Sequence, residues 1–162
     1  MDVIWEELIS GLPDARHLAH VLVRLAAAAV LGAVIGFQRE RAGKPAGLRT
    51  HMLVTLGTAV FVLACSGSGM NSDGLSRVIQ GIVTGIGFIG AGSILKISEE
   101  RNVQGLTTAA GVWMTAAVGV AVGLGSLGVA LLATLFALAV LSFAKRYEHK
   151  EGGRGEAADG DE

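Results

Sequence analysis

The chain has 162 residues, of which 51% are hydrophobic and 17% charged, with a net charge of −1 and a mean hydropathy of +0.56. Soluble domains carry about 25% charged residues and about 7% glycine, whereas glycine here is 24 of 162. These figures argue against a disordered chain and a nucleic-acid binder, and they disfavour a water-soluble enzyme.

Residues 3–12 place Ile4, Trp5, Leu8 and Leu12 on one helical face. This reads as a short interfacial helix, with a frayed terminus as the alternative. The start is acidic (Asp2, Glu6, Glu7), unlike the basic start of a signal peptide. His17 and His20 follow at i, i+3, a weak metal pair without further ligands. The first apolar stretch covers about 18–37 and is interrupted by Arg24. A charge inside a span costs at least about 2.5–3.5 kcal/mol. Arg24 is therefore expected to snorkel outward or to pair with Asp73.

Uncharged runs then mark the remaining spans. There are 23 such residues between Arg49 and Asp73, 18 between Arg77 and Lys96, and 43 between Arg101 and Lys145. A spanning helix needs about 20 residues. At about 1.5 Å per residue the longest run would reach about 65 Å, so it must fold back. The turn is expected at Gly123-Leu124-Gly125-Ser126-Leu127-Gly128. The chain is thus predicted to be all-α, a polytopic bundle of about five transmembrane helices at 18–37, 52–70, 78–96, 106–124 and 127–144. An N-terminal segment, 1–17, precedes the membrane domain, 18–145. A disordered tail, 146–162, follows it. Ten Lys and Arg residues fall in the first loop, the third loop and the tail. Only Arg16 and Arg77 fall on the other side. This bias predicts an outside N-terminus and a cytoplasmic C-terminus. Cys65 is the single cysteine, so no intrachain disulfide forms, and it reads as a small packing residue.

Small residues are expected to hold the helices together, because lipid gives no hydrophobic reason for them to associate. Gly32-x-x-x-Gly36, Gly81-x-x-x-Gly85 and Gly119-x-x-x-Gly123 read as packing motifs within the subunit, with a dimer seam as the alternative. Gly81, Gly85, Gly87, Gly90 and Gly92 fall within 12 residues. That density predicts either a very tight helix crossing or a broken helix lining a cavity. On the first reading, leucine at Gly85 or Gly90 costs folded protein. In the next span Thr107 and Thr108 are candidates for interhelical hydrogen bonds, and Trp113 is expected to pack against glycine.

The segment Phe37-Gln38-Arg39-Glu40-Arg41 through Gly47-Leu48-Arg49-Thr50-His51 joins the first two spans. A solvated basic loop accounts for Arg41 and Lys44. Arg49 and His51 abut the next span, and Arg49 is expected to pair with Glu40. His51 reads as a structural donor, with pH sensing or metal binding as the alternative. No nucleophile elbow, zincin motif, phosphate-binding loop or intramembrane aspartate pair occurs, so no enzymatic activity is expected.

Four stretches carry a family resemblance. Leu31-Gly-Ala-Val-Ile-Gly-Phe-Gln-Arg-Glu40 is followed by Ala46-Gly-Leu-Arg-Thr-His-Met-Leu-Val54, then by Ile82-Val-Thr-Gly-Ile-Gly-Phe-Ile-Gly-Ala-Gly92, and then by Gly105-Leu-Thr-Thr-Ala-Ala110 with Trp113. In this order they resemble the MgtC/SapB family of bacterial membrane proteins over about residues 20–145. The resemblance implies an inner-membrane protein associated with magnesium homeostasis and low-magnesium growth, and in some members with virulence. It implies regulation of another membrane protein, with cation transport as the competing role. Gln38 stands where the family commonly has Glu, and the chain resembles the short SapB-like type, which lacks a C-terminal cytoplasmic domain. On the sequence alone the partners are the lipid bilayer and either a second copy or another membrane protein, with no nucleic acid. No cofactor is expected, and Mg2+ is the one candidate ion. The candidate functional or structural residues are those named above from Arg39, Glu40, Gly47, Arg49, Thr50 and His51 through Asp73, Arg77 and the third-span glycines to Thr107, Thr108 and Trp113.

Overall fold

The computed structural model describes residue 4, residues 14–97 and residues 102–155. The expected interfacial helix at 3–12 lies almost wholly outside them. Five helices carry the fold: α1 (Ala15–Arg41), α2 (Leu48–Gly67), α3 (Ser72–Gly92), α4 (Leu106–Gly123) and α5 (Leu127–Gly155). The first four are long and apolar enough to cross a bilayer. In α5 the apolar portion is Leu127–Phe143, at the short end of the range that spans. α5 runs on to Gly155, so residues 146–155, expected as tail, stand in the helix, and 156–162 lie outside the described residues.

The helices begin and end where local chemistry satisfies their terminal groups. Asp14 caps α1 by accepting from the His17 N–H at 2.5 Å, and Asn71 caps α3 by accepting from the Gly74 N–H at 2.9 Å. Between α3 and α4 the expected basic loop forms a small antiparallel hairpin, β1 (Leu95–Ile97) with β2 (Asn102–Gln104). It returns into α4 through Gly105 at φ +96°, where a side chain would strike the Ser93 carbonyl.

Two helices are central. Half of the apolar window of α4 is buried, against 11% for α3. α2 lies between α1 and α4. A Cβ at Gly36 would come 2.7 Å from the Leu48 Cα, and one at Gly123 would come 2.7 Å from the Val62 Cβ. Gly32 meets Thr55 in the same way, and Gly119 meets Thr58. The hydroxyls of Thr55 and Thr58 are turned back onto their own helix, donating to the His51 and Val54 carbonyls. That satisfies them without a partner across the seam, so backbones can close on both faces of α2. Ala28, Ile35, Ala59, Val118, Val122 and Ala130 complete this core. The outer surface is apolar instead of charged: Leu53, Phe61, Phe88, Phe136 and Phe143 are exposed. Such a surface belongs against acyl chains.

α3 corrects two expectations. It is one continuous helix from Ser72 to Gly92, so the span is not broken. Nor is it tightly crossed. A Cβ at Gly81, Gly85, Gly87 or Gly92 would meet nothing within 4 Å, and at Gly90 it would make ordinary contact with Ala109 at 3.6 Å. The reason is placement. α3 leans on α4 through Ile86 and Gly90, and its Gly81 and Gly85 face a groove of about 590 Å³ toward α2 that also bears Gly57 and Phe61. Trp113 is half exposed and lies beside Ile79, Ile82, Val83 and Ile86 of α3, not against glycine.

Candidate functional site: a buried arginine and histidine

Gly32, Ile35, Gly36 and Arg39 recur at i, i+3, i+4 and i+7, which is one face of α1. The face that brings α1 against α2 therefore carries a guanidinium inward one turn later. Arg39 is only 2% exposed. The helix continues through Arg41, so residues expected in a solvated loop belong to the bundle. The missed signal was this spacing from the Gly32–Gly36 motif. Glu40 and Arg41, off that face, are exposed.

Arg39 Nη2 donates to Thr108 Oγ1 at 3.0 Å, in the first turn of α4. His51, in the first turn of α2, is fully buried. Its Nδ1 lies 2.7 Å from Thr115 Oγ1, which itself donates to the Gly111 carbonyl at 2.8 Å. The single Thr115 hydrogen is thereby used, so the hydroxyl accepts and His51 carries its proton on Nδ1. Nε2 is left as a buried lone pair with no hydrogen-bond partner among the described residues. Gly111 lies beside both groups: a Cβ there would make ordinary contact, 3.8 Å from His51 Cε1 and 3.9 Å from Arg39 Nε. Three helices thus meet at one cationic, hydroxyl-lined cluster near the ends of α1 and α2. Among the described residues no group of three or more His, Cys, Asp or Glu could hold a metal ion.

Glu40 does something other than pair with Arg49. Its Oε2 accepts from the Leu48 N–H at 2.9 Å. Gly47 at the α2 N-cap has no side chain to offer, so the carboxylate is supplied from the preceding helix. A Cβ at Gly47 would sit 2.9 Å from that oxygen. The first turn of α2 gains both a hydrogen-bond acceptor and a negative charge at the positive end of its dipole. Arg49 is exposed, and among the described residues it makes no ion pair with Glu40. The physical reason is competition: an uncapped backbone N–H is fixed in place, whereas an exposed guanidinium is satisfied by water. Glu40→Ala should then lower stability in detergent by about 1 kcal/mol. Arg49→Gln should change it by less than about 0.5 kcal/mol. Equal losses in thermal melts would restore the ion pair.

The remaining sites separate. Arg24 does not meet Asp73: its Nη1 donates to the Gly123 carbonyl at 3.0 Å, capping the C-terminal end of α4 beside Gly125. Asp73 and Arg77 are exposed on the first turns of α3. Thr50 is half-buried. Thr107 is exposed, pointing away from Thr108, which is buried. Gly85, Gly87 and Gly92 are exposed and belong to no cluster.

The MgtC family model matches residues 25–150, which include the whole cluster. The chain is 45% identical to protein SrpB of Synechococcus elongatus over 136 residues, covering 77% of this chain and 75% of that protein. It is 50% identical to protein MgtC of Brucella abortus over 126 residues, covering 77% of this chain but 51% of the relative. It is 40% identical over 130 residues to YhiD of Escherichia coli, named for a provisional magnesium-transport role, covering 76% and 60% respectively. The chain therefore spans about half the length of the MgtC relative that it matches. No solved structure matches it. With the family model matching α1 to α5 and relatives at 40–50% identity through the same helices, this chain belongs to the MgtC family.

Proposed function

We propose that this protein serves magnesium-linked physiology in the bacterial inner membrane by modulating another membrane protein and has no enzymatic activity. The observation that carries the reading is the open, apolar groove of about 590 Å³ between α2 and α3, lined by Gly57, Gly81 and Gly85. The magnesium link is supported by family membership and by the name of YhiD. A partner helix has a surface to use. The glycine-lined groove between α2 and α3 is apolar and open, and small residues let a second backbone come close. The basic residues of the α1–α2 junction, the hairpin and the end of α5 favour an outside N-terminus and a cytoplasmic C-terminus.

The test is flux. Purified protein in liposomes with a trapped magnesium-sensitive dye is expected to admit Mg2+ no faster than empty liposomes. Saturable uptake that depends on protein would establish the alternative, a cation pathway. An active alkaline phosphatase fusion at the C-terminus would reverse the orientation.

A further inference from the structure

Of the four helices long enough to cross a bilayer, α3 is the least buried. Its inward side carries Ile82 and Ile86, which pack toward α4. Thr84 is two residues from each of them, so it stands on the opposite side of the helix. Asp73, Arg77, Gln80 and Thr84 recur at i, i+4, i+7 and i+11 and share that outward face, and all four are exposed. Beyond them the face continues in Gly87 and Ala91, small enough for a second backbone to come near. The Thr84 hydroxyl is satisfied within the helix, donating to the Gln80 carbonyl at 2.9 Å. The Gln80 amide is not. Its Nε2 donates to Ser76 Oγ at 3.5 Å, which leaves one amide hydrogen and the amide oxygen without a hydrogen bond among the described residues. Gln80 lies inside the uncharged run that follows Arg77. An amide turned toward acyl chains has no water to complete it, and a second helix relieves that cost by hydrogen bonding. Asp73 and Arg77 make no ion pair among the described residues.

We propose that this face of α3 joins two copies of the chain in a parallel, twofold pair. The pair is closed by a hydrogen bond between the two Gln80 amides and by Asp73 of each copy with Arg77 of the other. The face complements itself. An amide both donates and accepts, so it suits its own copy. The two charges are opposite and one turn apart, so a twofold axis along the membrane normal sets each near its opposite. Two copies inserted in the same orientation hold α3 parallel and at one depth, so equal residues meet without a shift of register. This goes beyond the magnesium reading and does not rest on the role given to the groove toward α2.

Cys65→Ala removes the single native thiol. In that background Thr84→Cys, oxidised in native membranes, is expected to give a covalent dimer of the full chain. Phe136→Cys, exposed on α5, is not. Energy transfer between donor- and acceptor-labelled full chains, diluted with lipid in liposomes, then measures the association. Gln80→Leu is expected to weaken it by about 3- to 30-fold. Asp73→Arg and Arg77→Asp should each weaken it alone and recover it when mixed, because the mixed pair sets two acids against two bases. Should either charge variant fail to fold, Gln80→Leu decides. A chain that stays monomeric in liposomes overturns the proposal. So does Gln80→Leu associating as tightly as the unaltered chain, or folded charge variants that associate no better mixed than apart. Absence of the Thr84→Cys dimer, or an equal dimer from Phe136→Cys, overturns it as well. Capture of Thr84→Cys only in a conjugate with a different protein overturns it too, and gives this face to that protein.

Discussion

Gly119→Leu is expected to abolish folded protein in detergent, whereas Gly85→Leu leaves yield and monodispersity intact. Both are glycines in small-residue motifs of membrane helices, and both add the same bulk. They differ in what the new atoms meet. A Cβ at Gly119 would overlap Thr58 and come 2.5 Å from the Thr55 carbonyl oxygen, which is backbone and cannot rotate away. At Gly85 nothing lies within 4 Å. Overpacking a well-fitted core costs about 1–3 kcal/mol even where neighbours can adjust. Here the α2–α4 seam would have to open along its length, losing the contact at Gly123 and Val62 as well. Gel filtration of the two variants, with Gly32→Leu as a third that should behave like Gly119→Leu, checks this. Aggregation of Gly85→Leu purified alone would show that α3 packs more tightly than described. If Gly85→Leu folds but loses its physiological effect, the groove between α2 and α3 is a contact surface for another protein.

The second large effect concerns the arginine. Thr108→Val should lower stability by about 1.5–3 kcal/mol, because it removes a hydrogen bond to a charged group buried in the bundle. Arg39→Met in the same background should recover part of the loss. Replacing a buried charge by an apolar side chain of similar length removes the desolvation penalty along with the charge. The signature is thus a double variant more stable than the Thr108→Val single one, read by thermal or denaturant unfolding in one detergent. Additive losses would instead show that contacts beyond Thr108 hold Arg39. His51→Ala is a separate control. It frees the Thr115 acceptor and leaves a cavity.

Membrane residence, helix number and the order of the family motifs were determined by the sequence itself, because each depends on local composition. Long uncharged runs can be satisfied only as helices in lipid, whatever they pack against. The short motifs Gly32–Gly36 and Gly119–Gly123 were also legible as packing sites. What the sequence could not decide was which helix each face meets. Gly81–Gly85 has the same spacing as the other two, yet it faces an open groove, because α2 already has both its faces filled by α1 and α4. Charges behaved in the same way. Arg39, Glu40, Arg24 and Arg49 sit at similar margins of apolar runs, so composition treats them alike. Helical phase buried Arg39 among Thr108, Gly111 and His51, and turned Arg49 to the outside. Glu40 was claimed by an uncapped backbone N–H, and Arg24 by the end of α4. These partners lie on other helices, or across a turn, and only the packed bundle sets the distances that select them.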